Sequence, residues 1–208
     1  MLGNAQRPLR NLIGQRVDGR TELLERKAGG GAVLTGPGMV SASIVLPCGH
    51  PLLCDSLVDS YRWLGRLHVA ALAEFAIAAS AVPPRALHLA NAVMAARTVH
   101  WACFGGLSPW EVVDAGCRKL VGLAQRRQGA GVLLVAGTLV GATDWRLLCD
   151  VMGHPEDEAV LLRRTASCEQ LAGCSIEPAS YASVLTRLLG EALGSRSATG
   201  EIQCHRAR

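Results

Sequence analysis

Two apolar runs separated by a short glycine-containing turn constrain the fold of this chain more than any other feature. Residues 117–125 and 131–140 flank Gln128-Gly129-Ala130, and β-prone runs joined by such a turn pair as neighbouring antiparallel strands. The same texture extends upstream, where strands are expected at 99–104 and 110–114, separated by Gly105-Gly106 and Gly116. Further upstream, Ser41, Ser43 and Val45 alternate with Ala42, Ile44 and Leu46 before Pro47, the period-two pattern of a half-buried strand. A sheet of about five strands, largely an antiparallel meander, follows.

Between and after these strands the period changes. Asp55 is a good N-cap for a helix running to about Ile77, with Leu57, Tyr61, Leu64, Leu67, Val69, Ala71, Leu72 and Phe75 on its apolar stripe. Pro83 and Pro84 interrupt the pattern, and 86–97 reads as a helix or an ordered loop. Thr143 caps a helix to about Met152, Glu156 to Arg164 forms another, and Pro178 opens a third to Leu193. Residues 1–28 read as an entry into the sheet. With no internal repeat and no linker, residues 1–194 are expected to form one α+β domain, a mixed, mainly antiparallel sheet with helices packed on its faces. The polar tail 195–208 is expected to be disordered.

Composition excludes several classes of function. Half of the 208 residues are hydrophobic and 18% are charged, with a net charge of +4. That balance supports a packed core and lacks the dense cationic footprint of a nucleic-acid binder. The most apolar stretch, 67–84, contains His68 and Glu74 and is short for a span needing about 20 apolar residues. No membrane partner is expected. The opening Met-Leu-Gly-Asn-Ala-Gln has no secretory pattern, so the expected location is the cytoplasm. Eight cysteines form no Cys-x-x-Cys pair and read as thiols. Cys48, His50 and Cys54 lie close in sequence but lack a second ligand pair at a familiar spacing, so no metal site is expected.

Three stretches carry possible chemistry. Of the 21 basic residues only Lys27 and Lys119 are lysine; a compact ammonium suits sites that a planar guanidinium does not. Lys27 precedes Ala28-Gly29-Gly30-Gly31-Ala32-Val33, where three glycines let backbone N–H groups approach an anion or carbonyl, or simply make a tight turn. Lys119 opens the strand 117–125, whose alternation is expected to place Lys119, Val121, Leu123 and Gln125 on one face. Its charge is either half-exposed at a strand end or held to meet developing negative charge. Cys103, before Phe104-Gly105-Gly106, is a small hydrophobe or a reachable nucleophile, with His100 and Lys119 as cations that would favour its thiolate.

In this order, Leu2-Gly3-Asn4-Ala5-Gln6, Arg26-Lys27-Ala28-Gly29-Gly30-Gly31-Ala32-Val33, Cys103-Phe104 and Arg118-Lys119-Leu120-Val121-Gly122-Leu123-Ala124-Gln125-Arg126-Arg127 resemble the lipoate-protein ligase and octanoyltransferase family. The resemblance covers residues 2 to about 140. It implies a fold related to biotin-protein ligase, here lacking part of the usual N-terminal sheet edge, and attachment of an octanoyl or lipoyl group to a lysine of a lipoyl-carrier domain or a glycine cleavage H-type protein. Lys119 would contact the acyl carbonyl. Arg26, Gly29, Gly30 and Gly31 would lie beside the acyl headgroup, and Gly122, Gln125, Gly137 and Thr138 would wall the acyl tunnel.

Cys103 looks like the acyl-carrying cysteine of the cysteine-type octanoyltransferases, which take the chain from acyl carrier protein as a thioester and need no cofactor. The alternative within the family is an ATP- and Mg-dependent ligase working through an acyl-adenylate, with a possible second subunit completing the N-terminal edge. A non-catalytic carrier-binding or regulatory paralogue is the third reading. Family histidines fall here at Thr35 and Ala136, a departure the last reading would explain. An acidic acceptor domain is expected to dock on a rim containing Arg26, Arg126 and Arg127.

Overall fold

The computed structural model describes residues 1–194 apart from Arg20, Asp55 and Ala95. The Asp55 cap and the tail from residue 195 lie outside the described residues. Strands β1 (Met39–Pro47), β2 (Ser80–Ala81), β3 (Val112–Val113), β4 (Lys119–Gln128) and β5 (Gly131–Leu139) form one sheet in the order β1-β5-β4-β3-β2. All four ladders are antiparallel. The helices are α1 (Arg10–Gly14), α2 (Arg62–Ala73), α3 (Leu87–Val93), α4 (Trp145–Met152), α5 (Glu158–Arg164), α6 (Cys168–Ala172) and α7 (Pro178–Gly194).

The β4–β5 hairpin, closed by the glycine turn, lies inside the sheet, flanked by β1 on one side and by β3 and β2 on the other. Val121 pairs with Thr138, Leu123 with Ala136 and Gln125 with Leu134, and these continue onto Val40, Ala42 and Ile44 of β1. Because side chains alternate across a strand, this row faces one side, where Val121, Leu123, Leu134 and Ile44 pack with Leu64, Leu67, Ala71 and Leu72 of α2 and Tyr181 and Leu185 of α7. The other face carries Gly122 opposite Gly137, Gly137 opposite Ser41, and Ala124 opposite Val135. A second core, built from Leu2, Ile13, Val33, Phe104, Leu139, Trp145 and Leu148, closes the end of the molecule beyond this face.

Several elements differ from the sequence reading. The stretch 99–104 is not a strand: Val99 donates to Gly105 O, Ala102 to Val99 O and Gly105 to Ala102 O, closing a compact loop that meets Ala32 through a single parallel bridge. Local turn hydrogen bonds there win over β propensity. The helix expected from Asp55 begins at Arg62 after a 3-10 turn over Asp59–Tyr61, and it stops at Ala73, before Ala76 takes a left-handed φ of 56°. Residues 1–28 enter as a 3-10 turn (Asn4–Leu9) and α1, touching Glu25 through an isolated bridge from Leu2. The α4 cap is Asp144, whose carboxylate accepts from Leu147 N, and not Thr143. Strand β2 and helix α6 lacked a sequence signal because each is too short to show a period. Among the described residues no helix is long and apolar enough to cross a membrane.

Candidate active site

The closed loop at 99–105 presents Cys103, half-buried, over strand β4. Its backbone is fixed from outside the loop, since Cys103 N donates to Ala32 O at 2.8 Å and Ala32 N to Trp101 O at 2.7 Å. Opposite it, Gly122 leaves a gap. A Cβ at Gly122 would lie 3.3 Å from Lys119 Cε, 3.4 Å from Phe104 Cζ and 3.7 Å from Cys103 Sγ. The thiol, the aromatic ring and the lysine stem thus converge on one point that only a glycine keeps open.

From that point an apolar cavity of about 260 Å³ runs along the open face of the sheet. Its wall includes Cys103, Phe104, Gly122, Ala124, Leu133, Val135 and Gly137, with Arg26 and Lys27 also contributing. Glycine, serine and alanine on β1, β4 and β5 create the volume, because larger side chains at these register positions would fill it. Such a lining suits a hydrocarbon chain, whose burial is favourable by about 0.8 kcal/mol per CH₂.

Lys119 lies just behind the gap and is 2% exposed. Its ammonium donates to Cys103 O at 2.7 Å and Gly106 O at 3.1 Å and forms an ion pair with Glu111 Oε2 at 2.7 Å. It also stands 5.1 Å from the Phe104 ring centroid. Lys119 departs from the expected shared face with Val121, Leu123 and Gln125. The pairing shifts register between Val112 and Val113, which oppose Val121 and Lys119 with Leu120 as an extra residue, and such a bulge re-aims a side chain.

Glu111, which the sequence reading missed, is equally buried. Ser108 N donates to its Oε2 at 2.7 Å and Leu123 N to its Oε1 at 3.1 Å. Burial pushes its carboxyl above the usual carboxylate range, while the Lys119 charge and these two N–H donors pull it back. A carboxylate in an otherwise apolar stretch, three residues after Ser108, was the available signal.

The triglycine loop does not line the cavity. Gly31 packs on the Cys103 loop so closely that a Cβ would stand 2.3 Å from Trp101 O, and Gly30 takes a left-handed φ of 97°. Gly29 is exposed. Arg26 folds back, donating from Nη2 to Gly31 O at 2.7 Å, and its Nε is buried without a hydrogen-bond partner. Gly29, Gly30 and Gly31 therefore shape the loop that carries Arg26 and Lys27 to the cavity, and do not themselves face its interior.

Two expected wall residues lie elsewhere. Thr138 is fully buried on the helix-covered face, 3.3 Å from His68 Nδ1 and 3.5 Å from the Tyr181 hydroxyl. Gln125 donates to Leu57 O at 2.6 Å. Strand alternation puts both on the row of Val121 and Leu134, opposite the cavity. Gly122, Gly137 and Thr35 do line it, and Ala136, whose side chain belongs to the helix-covered row, borders it; Thr35 and Ala136 are the positions where the resemblance expects histidine. Among the expected rim arginines, Arg127 is tied to Cys54 O, Ser56 O and Ser60 Oγ. His100 is exposed. The Cys48 thiol faces carbonyls of Gln128 and Gly129, and His50 Nδ1 accepts from Leu52 N, so these side chains are engaged separately.

Residues 1–187 match the lipoyl protein ligase A/B catalytic domain. The chain belongs to this family. It is 34% identical over 157 residues to the octanoyltransferase LipM of Moorella thermoacetica, an alignment covering 74% of this chain and 53% of that protein. The chain thus spans about half the length of this curated relative. Among solved structures, a protein of T. acidophilum with bound lipoic acid, described as a lipoate protein ligase, superposes with a TM-score of 0.61 at 19% identity. That match covers 93% of this chain and 67% of the other. A lipoate-protein ligase A bound with ATP superposes with a TM-score of 0.62 at 20% identity, over 93% and 68% of the two chains. At these identities the likeness establishes the α+β fold of the family.

Proposed function

We propose that the protein is an acyltransferase that carries an octanoyl or lipoyl group on Cys103 and delivers it to a lysine of a lipoyl-carrier domain or H-type protein. The observation that carries this reading is the Cys103 thiol at the reacting end of an apolar cavity, with the buried Lys119 charge beside it. In the first step the Cys103 thiolate attacks the thioester carbonyl of acyl carrier protein; the carrier's sulfur leaves and takes a proton. In the second, the free amine of the acceptor lysine attacks the Cys103 thioester. An amide forms, the C–S bond breaks, and the amine's proton restores the thiol. The thioester keeps the activation of the donor through both steps, so no nucleotide is consumed. Lys119 holds positive charge next to the carbonyl as the tetrahedral centres develop, and Arg26 and Lys27 approach the cavity from the glycine loop.

Intact-mass analysis with octanoyl-acyl carrier protein tests the reading. The expected result is one octanoyl adduct, labile to hydroxylamine, mapped to the Cys103 peptide, absent in Cys103→Ala and discharged by a lipoyl domain without ATP. Full activity of Cys103→Ala, or reaction of free octanoate only when ATP and Mg are supplied, would overturn it in favour of a ligase. Binding of the acyl carrier without any transfer would mark a regulatory paralogue.

A further inference from the structure

Three separate features converge on Glu111, a residue with no part in the steps above. Its carboxylate is 2% exposed and accepts from two backbone N–H groups, Ser108 and Leu123, in addition to pairing with Lys119. The residue before it, Trp110, holds a left-handed φ of 67°, costly for a bulky side chain. That conformation is enforced from both sides. Trp110 N donates to Val82 O at 2.6 Å and Val82 N to Glu111 O at 3.0 Å, while Gly65 of α2 lets the Trp110 carbonyl approach to where a Cβ would be 2.2 Å away. The chain accepts local strain to turn one carboxylate inward, and strain of this kind gathers at functional sites.

The carboxylate also decides where the Lys119 ammonium can go. An ammonium has three donors, and here they meet Glu111 Oε2, Cys103 O and Gly106 O. Without the carboxylate, a flexible four-carbon stem would be free to withdraw from the two carbonyls of the cysteine loop. We propose that Glu111 is a positioning residue for acyl transfer, anchoring the Lys119 ammonium against the Cys103 and Gly106 carbonyls and so fixing both the charge and the loop that holds the thiol. This rests on the transferase reading, and its effect is expected on the rate of the covalent step, with little effect on acyl-donor binding, because Glu111 does not line the cavity.

The test compares the parent protein, Glu111→Gln, and the double variant Glu111→Gln/Lys119→Met for single-turnover loading from octanoyl-acyl carrier protein, with thermal unfolding followed alongside. Removing one partner leaves a buried uncompensated charge, whereas neutralising both with side chains of similar size spares the fold. Glu111→Gln is expected to load at least tenfold more slowly at saturating donor, with the half-saturating donor concentration unchanged within twofold. The double variant should regain thermal stability without regaining rate. If Glu111→Gln does not fold, Glu111→Asp, which keeps the charge but withdraws it from Lys119 by one methylene, takes its place, with the same slowing expected at saturating donor. Loading at the parent rate by either variant, or a slow rate wholly restored by raising donor concentration, would overturn the assignment and leave the pair a structural one. Failure of the parent itself to load would overturn the transferase reading and this assignment with it.

Discussion

An amine attacks a thioester only as its free base, and the described lining of the cavity beside Cys103 holds neither of the side-chain types that most often take such a proton. Among the described residues lining it there is no histidine or carboxylate; Thr35 and Ala136 occupy the two places where the family resemblance expects an imidazole. In the proposed transfer, an acceptor lysine with a usual pKa near 10.4 therefore loses its proton before it arrives. Acyl transfer from loaded Cys103 to a lipoyl domain is expected to rise close to tenfold per pH unit between about pH 7 and 9, measured by quenching single turnovers. A flat profile would reveal a base supplied from elsewhere. Cys103, Lys119, Gly122 and Gly137 were all named from the motif order, and the structure sets Cys103, Gly122 and Gly137 on the cavity with Lys119 behind them. Gln125 and Thr138 were misplaced by the same motif order, since proximity in sequence says nothing of which strand face a residue takes. Gly122 also offers a steric test. Valine there would add carbon atoms beyond a Cβ already 3.3–3.7 Å from Lys119, Phe104 and Cys103, so Gly122→Val is expected to cut loading at least tenfold.

At the scale of elements, a buried polar cluster joins α2, α7 and β5 within a largely apolar layer. His68 of α2 is fully buried, with Nδ1 3.1 Å from the Tyr181 hydroxyl of α7 and 3.3 Å from Thr138 Oγ1 of β5, while its Nε2 has no partner. Burial lowers its pKa from 6.5 to about 4. Below about pH 6.5 the unfolded chain therefore binds a proton that the folded protein refuses. Stability contributed by the neutral imidazole is complete above pH 6.5, falls as pH drops, and levels off near pH 4, a loss of about 3 kcal/mol. Urea unfolding of the parent and His68→Gln across pH 4–7 should show this as a difference in slope; parallel curves would mean that His68 is protonated in the fold. The apolar stripe of α2 was readable from its period. The cross-element contact was not, because the partners are 70 and 113 residues away in sequence. The 99–105 loop escaped for the opposite reason, its β-prone residues being outweighed by turn hydrogen bonds that no propensity records.

At the scale of the whole molecule, the surface charge is mixed, and much of the arginine is neutralised locally: Arg7 and Arg10 pair with Glu25, Arg146 with Asp150, and Arg187 with Glu74 and Glu191. The net charge is +4, and an exposed Lys27 stands beside the cavity, next to Arg26. A carrier domain rich in carboxylates would be drawn to this side of the molecule before any short-range contact forms, which raises the encounter rate more than the final affinity. Such attraction reaches about 10 Å at 0.1 M salt and about 3 Å at 1 M. Discharge of octanoyl-Cys103 to an acidic lipoyl domain, at subsaturating acceptor, is therefore expected to slow severalfold over that range. Loading from a small uncharged octanoyl thioester, which has no charge to steer, should change little. Lys27→Glu should reproduce the high-salt rate at low salt and flatten the dependence on further salt. A carrier reaction insensitive to both salt and Lys27→Glu would place the docking surface away from the glycine loop, with the basic groove of Arg62, Arg66 and Arg85 beside β2 the next surface to test by charge reversal.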